Sequence, residues 1–549
     1  MPNRPLRVAV IGCGPKGLFC IEQLTKQLEN VDTSRPLSVT IFEPADFPGA
    51  GLVYDPRQPH YLRMNFAVRH IDVWQRQEDG PSLLDWLRER HPESAAADQF
   101  VPRAMVGEYL HDCYLATTIR LEQHATLSRV RDRVVDLQEV NTGWRVVTDR
   151  GGDVYEFDEV LLTVGHEGWR SSTVDRQQTT TFDTSHVYPV ESQLSPAMAP
   201  ASSHIAIRGI GLTAIDAMLA LTEGRGGRFR PAGDALRYEP VGTEPARIFP
   251  YSRSGRPMLA KPNPQQMSVP DLTGVWQHYA GDLATLASRG RAVHFREEIW
   301  PKVEAAAEAA LREVGGSGAA PWFDSWRNGC PGSDAFRDQL SASVEVATGR
   351  QAPSAAWAMG EAWRRLYPTL VNLISYDGLA KDSWRDFRTV AAEMERVAFG
   401  PPVENCRKFL ALVDCGLVNL NFLQGTVTPC ETGLPELRTV EDNRTVRIDR
   451  HVNAVLPGPG ASHPSGPLHS LAQRGNLVPH HSDCGYQIDR SGRPITATGK
   501  SLCSVTLVGR PTEGAVLGND TLNPRLHDGP TRWARHIAQQ VQRIKRNTQ

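Results

Sequence analysis

The feature that most constrains this chain is a glycine motif at its start, in residues 8–17. A β-branched run typical of a buried strand leads into the glycines, and a helical pattern follows. In such a motif the first glycine permits a tight turn, the second lets backbone approach a pyrophosphate, and the third lets helix and strand pack closely. Free amides at the helix start then favour phosphate. The residues concerned are Gly12, Gly14, Pro15, Lys16 and Gly17.

An acidic residue closes the next predicted strand. The run 37–42 ends in Glu43, which is placed to accept hydrogen bonds from a ribose diol. A glycine turn in an ordinary βα unit is the alternative. The strand before the motif, the helix after it and this acid together predict a dinucleotide site.

A second motif of the same kind begins at residue 204. Its strand pattern again runs into a glycine turn and a helix, although an alanine stands where the third glycine would be. We therefore predict a second dinucleotide site. The residues at its turn and helix start are Gly209, Gly211, Leu212 and Thr213.

The strand that follows, 246–251, delivers Ser252 and Arg253. An NAD site would show an acid at this strand end, whereas a hydroxyl and a guanidinium suit a 2′-phosphate. The second cofactor is therefore predicted to be NADPH rather than NADH, the alternative being a solvated basic turn. The gap from Gly211 to Arg253 is about twice the usual distance between the glycine motif and the ribose-binding residue at the end of the next strand. A Gly/Arg-rich insertion over 224–245 accounts for the difference.

Bulk properties exclude several classes of protein. With 549 residues, two or three domains are expected. A formal charge of −2 gives no general attraction to nucleic acid or to an anionic membrane, and no apolar run is long enough to span one. The early strand leaves no room for a signal peptide. Nine cysteines without a CxxC pair favour reduced thiols in a cytoplasmic protein, and a homo-oligomer is left open.

The pattern along the chain predicts an α/β fold with two Rossmann-like dinucleotide-binding domains and a helical insertion. We assign residues 1–203, completed by 485–549, to an FAD-binding domain. Residues 204–267, completed by 426–484, form an NADPH-binding domain, and 268–425 form a helical insertion that acts as substrate or cap region.

Smaller elements are predicted as well. We expect a three-stranded meander over 130–140, 144–148 and 154–157, and two late strands over 485–489 and 501–509. Tryptophan and leucine stripes in the insertion are expected to be core. They comprise Trp300, Val303, Ala307, Ala310 and Val314, and Trp363, Leu366, Leu370 and Leu373.

No metal site is predicted. His480 and His481, near Asp483 and Cys484, are the best candidates, but adjacent side chains of an extended chain point to opposite faces. No Ser/His/Asp triad is recognisable either. Two dinucleotide sites in one chain instead suggest hydride transfer from a nicotinamide to a flavin, with FAD bound first in the chain and NADPH second.

Several blocks, in this order, resemble the flavin-dependent N-hydroxylating monooxygenases of amines and amino acids, flavoproteins with two dinucleotide-binding domains. The blocks are Gly12-Cys13-Gly14-Pro15, Met64-Asn65, Ser82 to Leu87, Pro102-Arg103 with Tyr109-Leu110, Val164-Gly165-His166 and Asp520-Thr521-Leu522. The resemblance covers both ends of the chain but not residues 268–425. The loop 47–65 and the block 209–216 look closest to a bacterial branch that makes nitrosuccinate from aspartate for natural products.

The resemblance implies the positions of further site residues. It places Met64 and Asn65 beside the pyrophosphate and the isoalloxazine of FAD, with Asn65 as the catalytic residue where that family has glutamine. The family's substrate-carboxylate lysine falls on His70, so either Arg69 or His70 is expected to hold an anionic substrate group, the alternative being that the two form a solvated or structural pair. Further cofactor contacts implied by the resemblance are Gly165, Asn519, Asp520 and Thr521.

The implied reaction uses NADPH, molecular oxygen and a small amine or amino acid. Oxygen adds at flavin C4a, and a neutral amine attacks the distal oxygen of the hydroperoxide in a site that excludes water. Alternatives are carbon or sulfur oxygenation by the same flavin, an NADPH-dependent flavoprotein reductase, and a nucleotide sensor without turnover.

Overall fold

The computed structural model describes residues 4–165, 184–329, 331–429, 433–439, 442–519 and 521–542. Its strands are β1 (Leu6–Ile11), β2 (Leu37–Phe42), β3 (Thr126–Val130), β4 (Val134–Val140), β5 (Gly143–Thr148), β6 (Tyr155–Phe157), β7 (Glu159–Leu162), β8 (Thr184–His186), β9 (His204–Arg208), β10 (Arg228–Ala232), β11 (Ala235–Glu239), β12 (Arg247–Tyr251), β13 (Thr426–Thr428), β14 (Glu436–Arg438), β15 (Thr445–Arg447), β16 (Arg450–Asn453) and β17 (Val505–Leu507).

Helices cover these strands and fill the insertion. They are α1 (Pro15–Glu29), α2 (Leu83–Arg90), α3 (Arg103–Leu121), α4 (Val190–Gln193), α5 (Leu212–Ala220), α6 (Thr273–Ala287), α7 (Trp300–Glu313), α8 (Ala319–Asn328), α9 (Ser333–Ala347), α10 (Ala355–Ile374), α11 (Trp384–Ala398), α12 (Val403–Asp414), α13 (Pro467–Gln473) and α14 (Gly529–Gln542). No helix in the described ranges combines the length and the hydropathy needed to cross a membrane.

The first sheet is parallel and has the order β17-β7-β1-β2-β3. Alternate residues of β1 point to opposite faces, so Val8 and Val10 pack against α1, α3 and α14. Ala9 and Ile11 pack on the other face, against the antiparallel meander β4-β5-β6. Burial on both faces explains why this strand is an unbroken apolar run.

The second sheet is also parallel, with the order β12-β9-β16-β8. One face, including Ile205 and Ile207, packs on α5 and on two helices of the predicted insertion, α9 and α12. The other face packs on the small antiparallel sheet β13-β14-β15 through Phe249 and Tyr251. The two parallel sheets and their helices confirm the predicted α/β class.

Helices α6, α7, α8, α10 and α11 enclose a separate core. The predicted tryptophan and leucine stripes lie inside it, apart from Val314, which packs against it partly buried. The smaller, Gly/Arg-rich insertion predicted over 224–245 contains no such helical core. It includes the hairpin β10-β11, which lies beside the second sheet.

Three sequence expectations on small strands differ from the structure. Residues 485–489 form only isolated bridges, because Asp483 and Gly485 turn the chain with φ of +57° and +69°. Val130 belongs to β3 of the first sheet, and the meander begins four residues later at Val134. The late strand expected over 501–509 is shorter, running only over β17.

A buried ion pair joins the two sheet domains. Arg103 at the start of α3 lies 2.5 Å from the carboxylate of Asp216 in α5, and its guanidinium also donates to the Tyr188 hydroxyl at 2.8 Å. Tyr188 in turn donates to Asp216. Asp216 is 1% exposed and Arg103 is 8% exposed. Each charge therefore depends on the other, since neither can reach bulk water.

We expect Arg103→Ala to lower the free energy of unfolding by about 3–5 kcal/mol, because it leaves the Asp216 carboxylate buried without a counter-ion. Arg88→Ala is the matched control, since Arg88 pairs with Asp85 on the surface and its loss should cost under about 1 kcal/mol. Urea unfolding of both variants measures the difference. Equal stability of the two variants would contradict the bridging role.

Candidate cofactor and substrate site

The first glycine loop leaves no space for side chains at two of its glycines. Gly12 has a φ of +81°, and a Cβ added there would lie 2.9 Å from the Thr163 carbonyl oxygen. A Cβ on Gly17 would lie 2.7 Å from the Gly12 carbonyl oxygen. The Gly12 amide donates to the Phe42 carbonyl at 2.9 Å, so the turn is tied to the end of β2. Backbone geometry therefore requires glycine at both positions.

The start of α1 is built to receive an anion. Gly14 is its N-cap and offers no side-chain acceptor, Pro15 follows, and the first turn contains no acidic residue. The amides and the dipole of this helix end are therefore not neutralised by the helix's own side chains. Gly51 approaches Gly14, with 3.5 Å between its Cα and a Cβ added at Gly14. The space between the start of α1 and Gly51 therefore suits the pyrophosphate of a dinucleotide.

Glu43 connects the end of β2 to the glycine loop. Its carboxylate accepts hydrogen bonds from the amides of Cys13 at 2.7 Å and Ala45 at 2.9 Å. Burial raises the pKa of Glu43, and the two amides oppose that rise. A carboxylate has about four acceptor positions, so it can still accept from a ribose diol.

The end of the chain returns to this loop. Lys16 donates through Nζ to the Thr521 carbonyl at 2.7 Å, and the buried Asn519 donates its amide to Glu513 at 3.1 Å. Gly165, with a φ of +59°, follows Thr163 at the same sheet edge. The predicted residue Asp520 lies outside the described residues, as does His166.

The second glycine loop repeats the arrangement. Gly209 has a φ of +122°, and its amide donates to the Tyr251 carbonyl at 2.7 Å, next to the end of β12. Gly211 is the N-cap of α5 without a side-chain acceptor, and Leu212 and Thr213 form the uncapped first turn, which has no acidic residue. A second helix end therefore offers free amides at the carboxyl edge of a parallel sheet.

The end of β12 carries a group of arginines. Arg253 is exposed, whereas Arg256 is buried and bound to Glu393 at 3.1 Å and to the Gly329 carbonyl at 2.9 Å. Arg396 lies 3.7 Å from Glu393, the carboxylate that also pairs with Arg256. Burial lowers the pKa of Arg396, Glu393 opposes this shift, and the charges of Arg256 and Arg253 add to it. Ser252 uses its hydroxyl to accept from the Gly255 amide at 3.1 Å. Arg396 was not predicted, because it comes from α11, far along the chain.

Asn65 lies where the first domain, the second domain and the insertion meet. Its side-chain amide donates to the Phe399 carbonyl at 3.2 Å, and its own carbonyl accepts from Lys261 Nζ at 2.7 Å. The preceding residue, Met64, is buried and held through its amide to Val101. Three distant parts of the chain thus fix the position of Asn65.

Lys261 is a site residue that sequence reasoning missed. Its ammonium group lies 4.2 Å from the centre of the Phe66 ring and 5.6 Å from that of Phe399. Burial lowers its pKa to about 7, and Arg364 contributes to the shift. A single lysine in a proline-rich loop carries no periodic signal, so only the folded structure identifies it.

The predicted substrate residues lie beside this lysine. Arg69 bonds to Asp98 and donates from Nε to His70 Nε2 at 3.2 Å. Burial lowers the pKa of His70 to about 4, with further contributions from the positive charges of Arg69, Lys261 and Arg365. Glu361 of α10 pairs with Arg364 at 2.8 Å and with Arg365 at 3.1 Å. Glu361 and Glu395 also act on Lys261, so carboxylates partly balance these cations. Lys261, which donates to the Asn65 carbonyl, is a cation suited to an anionic ligand.

Comparison with known proteins agrees with this geometry. Residues 9–167 match a family model described as FAD-NAD(P)-binding. The chain is 26% identical to a nitrosuccinic acid synthase of Aspergillus oryzae, over 92% of this chain and 88% of that protein. It is 29% identical to a nitrosuccinate-forming L-aspartate N-monooxygenase of Streptomyces cremeus, over 48% of this chain and 44% of that protein.

The fold also matches a solved structure. Reduced ornithine hydroxylase from Pseudomonas aeruginosa aligns over 99% of this chain and 100% of its own, with a TM-score of 0.51 and 14% identity. This likeness concerns the fold. Together the comparisons confirm the predicted resemblance: the matched family model is one that binds FAD and NAD(P), and both sequence relatives are named for a nitrosuccinate-forming reaction.

We expect Gly14→Leu to reduce bound flavin per chain on the order of tenfold, because the side chain would occupy the space where backbone approaches the pyrophosphate. Gly281→Leu is the control, since Gly281 lies in α6 with no atom within 4 Å of an added Cβ. The ratio of visible flavin absorbance to protein concentration measures the effect. If both variants contained equal amounts of bound flavin, the first glycine loop would not be part of the FAD site.

Proposed function

We propose that this protein oxidises the amino nitrogen of L-aspartate, or of a similar amino dicarboxylic acid, to a nitroso or nitro group at the expense of NADPH and molecular oxygen. The observation that carries the proposal is the match to the nitrosuccinic acid synthase across nearly the whole of both chains. The Streptomyces enzyme, which matches over a shorter range, is named for its action on L-aspartate. The cationic surroundings of Asn65 support a substrate with two carboxylates.

We propose that residues 1–203 with 485–549 bind FAD, that 204–267 with 426–484 bind NADPH, and that 268–425 cover the substrate. Support comes from β17, which joins the first sheet, and from β16, which joins the second. Strand β8 also pairs in the second sheet, so the chain enters that domain before residue 204. Helices α9 and α12 share its core as well.

The roles of individual residues follow from their positions. The first helix end and Glu43 hold the pyrophosphate and ribose of FAD, and the second helix end holds NADPH, with Arg253 on the 2′-phosphate. Bound FAD supplies the oxygen-transfer chemistry. Asn65 orients the reacting edge of the flavin, and Arg69, His70 and Lys261 hold the substrate carboxylates. Phe66 and Phe399 exclude water, which also favours the neutral amine.

The reaction is tested by incubating the purified protein with FAD, NADPH, oxygen and L-aspartate, followed by mass spectrometry. One added oxygen raises the product mass by about 16, and full conversion of amine to nitro raises it by about 30. L-Asparagine and L-norvaline are controls that lack the second carboxylate. NADPH oxidation that releases hydrogen peroxide without product would favour a flavoprotein reductase instead.

We expect Arg253→Ala to raise the KM for NADPH about 10- to 100-fold, because a charge-assisted hydrogen bond of about 1.5–3 kcal/mol is lost. The KM for NADH should change little. Arg247→Ala is the matched control, since Arg247 is an exposed arginine at the other end of the same strand, β12. An unchanged ratio of the two KM values would exclude Arg253 from the 2′-phosphate site.

The pKa of Lys261, about 7, predicts a pH dependence of substrate binding. The ammonium form exists below this pH and is lost as the pH rises through it, so the KM for aspartate should increase above pH 7. In Lys261→Arg the cation persists and the increase should disappear. In Lys261→Met the KM should be high throughout.

The control is Lys302→Met, which removes a lysine that pairs with Asp282 on α6, away from Asn65. Because kcat depends on the protonation of the substrate amine, only the KM profile reports on Lys261. A KM that is equally pH-dependent in wild type and Lys261→Arg would disprove carboxylate binding by this lysine.

A further inference from the structure

We propose that Asp377, His480 and His481 bind a divalent transition metal of the Zn²⁺ type. The three residues, called here the His480 cluster, bring the connection after α10 together with the segment that follows α13. None of them belongs to the predicted cofactor or substrate residues, so the proposal stands apart from the proposed reaction.

The donor atoms of the His480 cluster are already gathered. One ligand atom from each residue lies within 4.8 Å of the others. Asp377 Oδ1 is 3.8 Å from His480 Nε2 and 3.8 Å from His481 Nδ1. Ligands about 2.0–2.1 Å from a tetrahedral zinc lie about 3.4 Å apart, so small side-chain movements would complete the site.

The unpartnered ring nitrogen of His480 indicates that a ligand is missing from the structure. It is 2% exposed, and its Nε2 has no hydrogen-bond partner within the described part of the chain. The Asp377 oxygen at 3.8 Å is too distant for a hydrogen bond. A buried polar atom without a partner is costly, and a metal ion between Nε2 and the carboxylate would satisfy both.

Local backbone geometry places both imidazoles on the same side, contrary to the sequence expectation. His481 and Ser482 form a turn, and Asp483 follows with a φ of +57°, so the chain is not extended. The ring centres of His480 and His481 are 3.9 Å apart. Asp377 also has a positive φ, +63°, which is uncommon for a residue other than glycine and is often found at functional positions.

The surroundings of His480 provide a second layer of contacts. Its Nδ1 lies 2.7 Å from the Ser482 hydroxyl and 3.2 Å from the Ser482 amide. Coordination of a metal through Nε2 requires the imidazole proton to be on Nδ1. The protonated Nδ1 then donates to the Ser482 hydroxyl, and the longer contact with the Ser482 amide is lost. A metal-bound histidine usually donates its other nitrogen in this way.

The composition of the cluster selects the class of metal. Two imidazoles and one carboxylate suit Zn²⁺ and related borderline ions, whereas Mg²⁺ and Ca²⁺ prefer oxygen ligands. The Trp384 ring packs edge-on against both histidines and shields that side. Asp377 is largely exposed, so water can occupy the fourth position. Arg388, which donates to the Ser482 carbonyl at 2.6 Å, and Lys381 are nearby cations that oppose the binding of a further cation.

A metal here would hold the insertion against the end of the chain. Next to Asp377, the Tyr376 amide donates to the Ala515 carbonyl at 2.7 Å, and the Leu517 amide donates to the Ser375 hydroxyl at 3.1 Å. On the other side, a Cβ on Gly514 would lie 2.6 Å from His480 Nδ1. The ion would therefore hold the connection after α10 to residues 480–481, which pack against Gly514.

The test uses the FAD-loaded protein, stripped with EDTA and titrated with ZnCl₂ against a chromophoric zinc chelator. Wild type should bind one Zn²⁺ per chain with a raised unfolding temperature, and excess Mg²⁺ should not displace it. Metal content is verified by elemental analysis.

Variants locate the bound ion. His481→Gln and Asp377→Asn should weaken Zn²⁺ binding at least about tenfold, and Ser482→Ala about tenfold through the loss of the outer contact. His278→Gln, which removes an exposed histidine of α6, is the matched control and should bind as wild type. The proposal is overturned if wild type binds no equivalent of Zn²⁺, or if His481→Gln and Asp377→Asn bind it as tightly as wild type.

Discussion

The buried contact of Arg103 with Asp216 and Tyr188 is the interaction on which the arrangement of this molecule depends. Helix α3 packs on the first sheet, and α5 is the helix whose start forms the second glycine site. A charge buried on each helix can be stable only beside its partner. The contact therefore holds the second site in a defined position relative to the first.

Asn65 is the second meeting point of distant segments. Its carbonyl accepts from Lys261, which follows the second sheet, and its side chain donates to Phe399 at the end of α11. An ammonium group above two aromatic rings is stabilised by them, while its partial burial favours the neutral form. The surroundings of Asn65 thus combine a positive charge with aromatic surface, as the proposed oxidation of an amino dicarboxylic acid requires.

A feature of this fold could be predicted from the sequence where the interacting residues lie close together in the chain. The two glycine motifs, the strands beside them and the stripes of the insertion were predicted well, because turns and periodic burial are encoded within a few residues. The strand over 485–489 was mispredicted, since Asp483 and Gly485 take turn conformations at the start of the segment. The two histidines were placed on opposite faces on the assumption of an extended chain, and the turn at His481 reverses that conclusion.

By itself, the sequence determined the α/β class and the two glycine loops, each of which ends a parallel strand and begins a helix. These depend on glycine positions, strand patterns and single residues at strand ends, all of which act locally. Only the tertiary structure decided that Lys261 lies against Asn65, that Arg256 pairs with Glu393 of α11, and that Asp377 lies near His480. Each of these contacts joins residues about 100 or more positions apart, and no local pattern encodes how separate domains pack together.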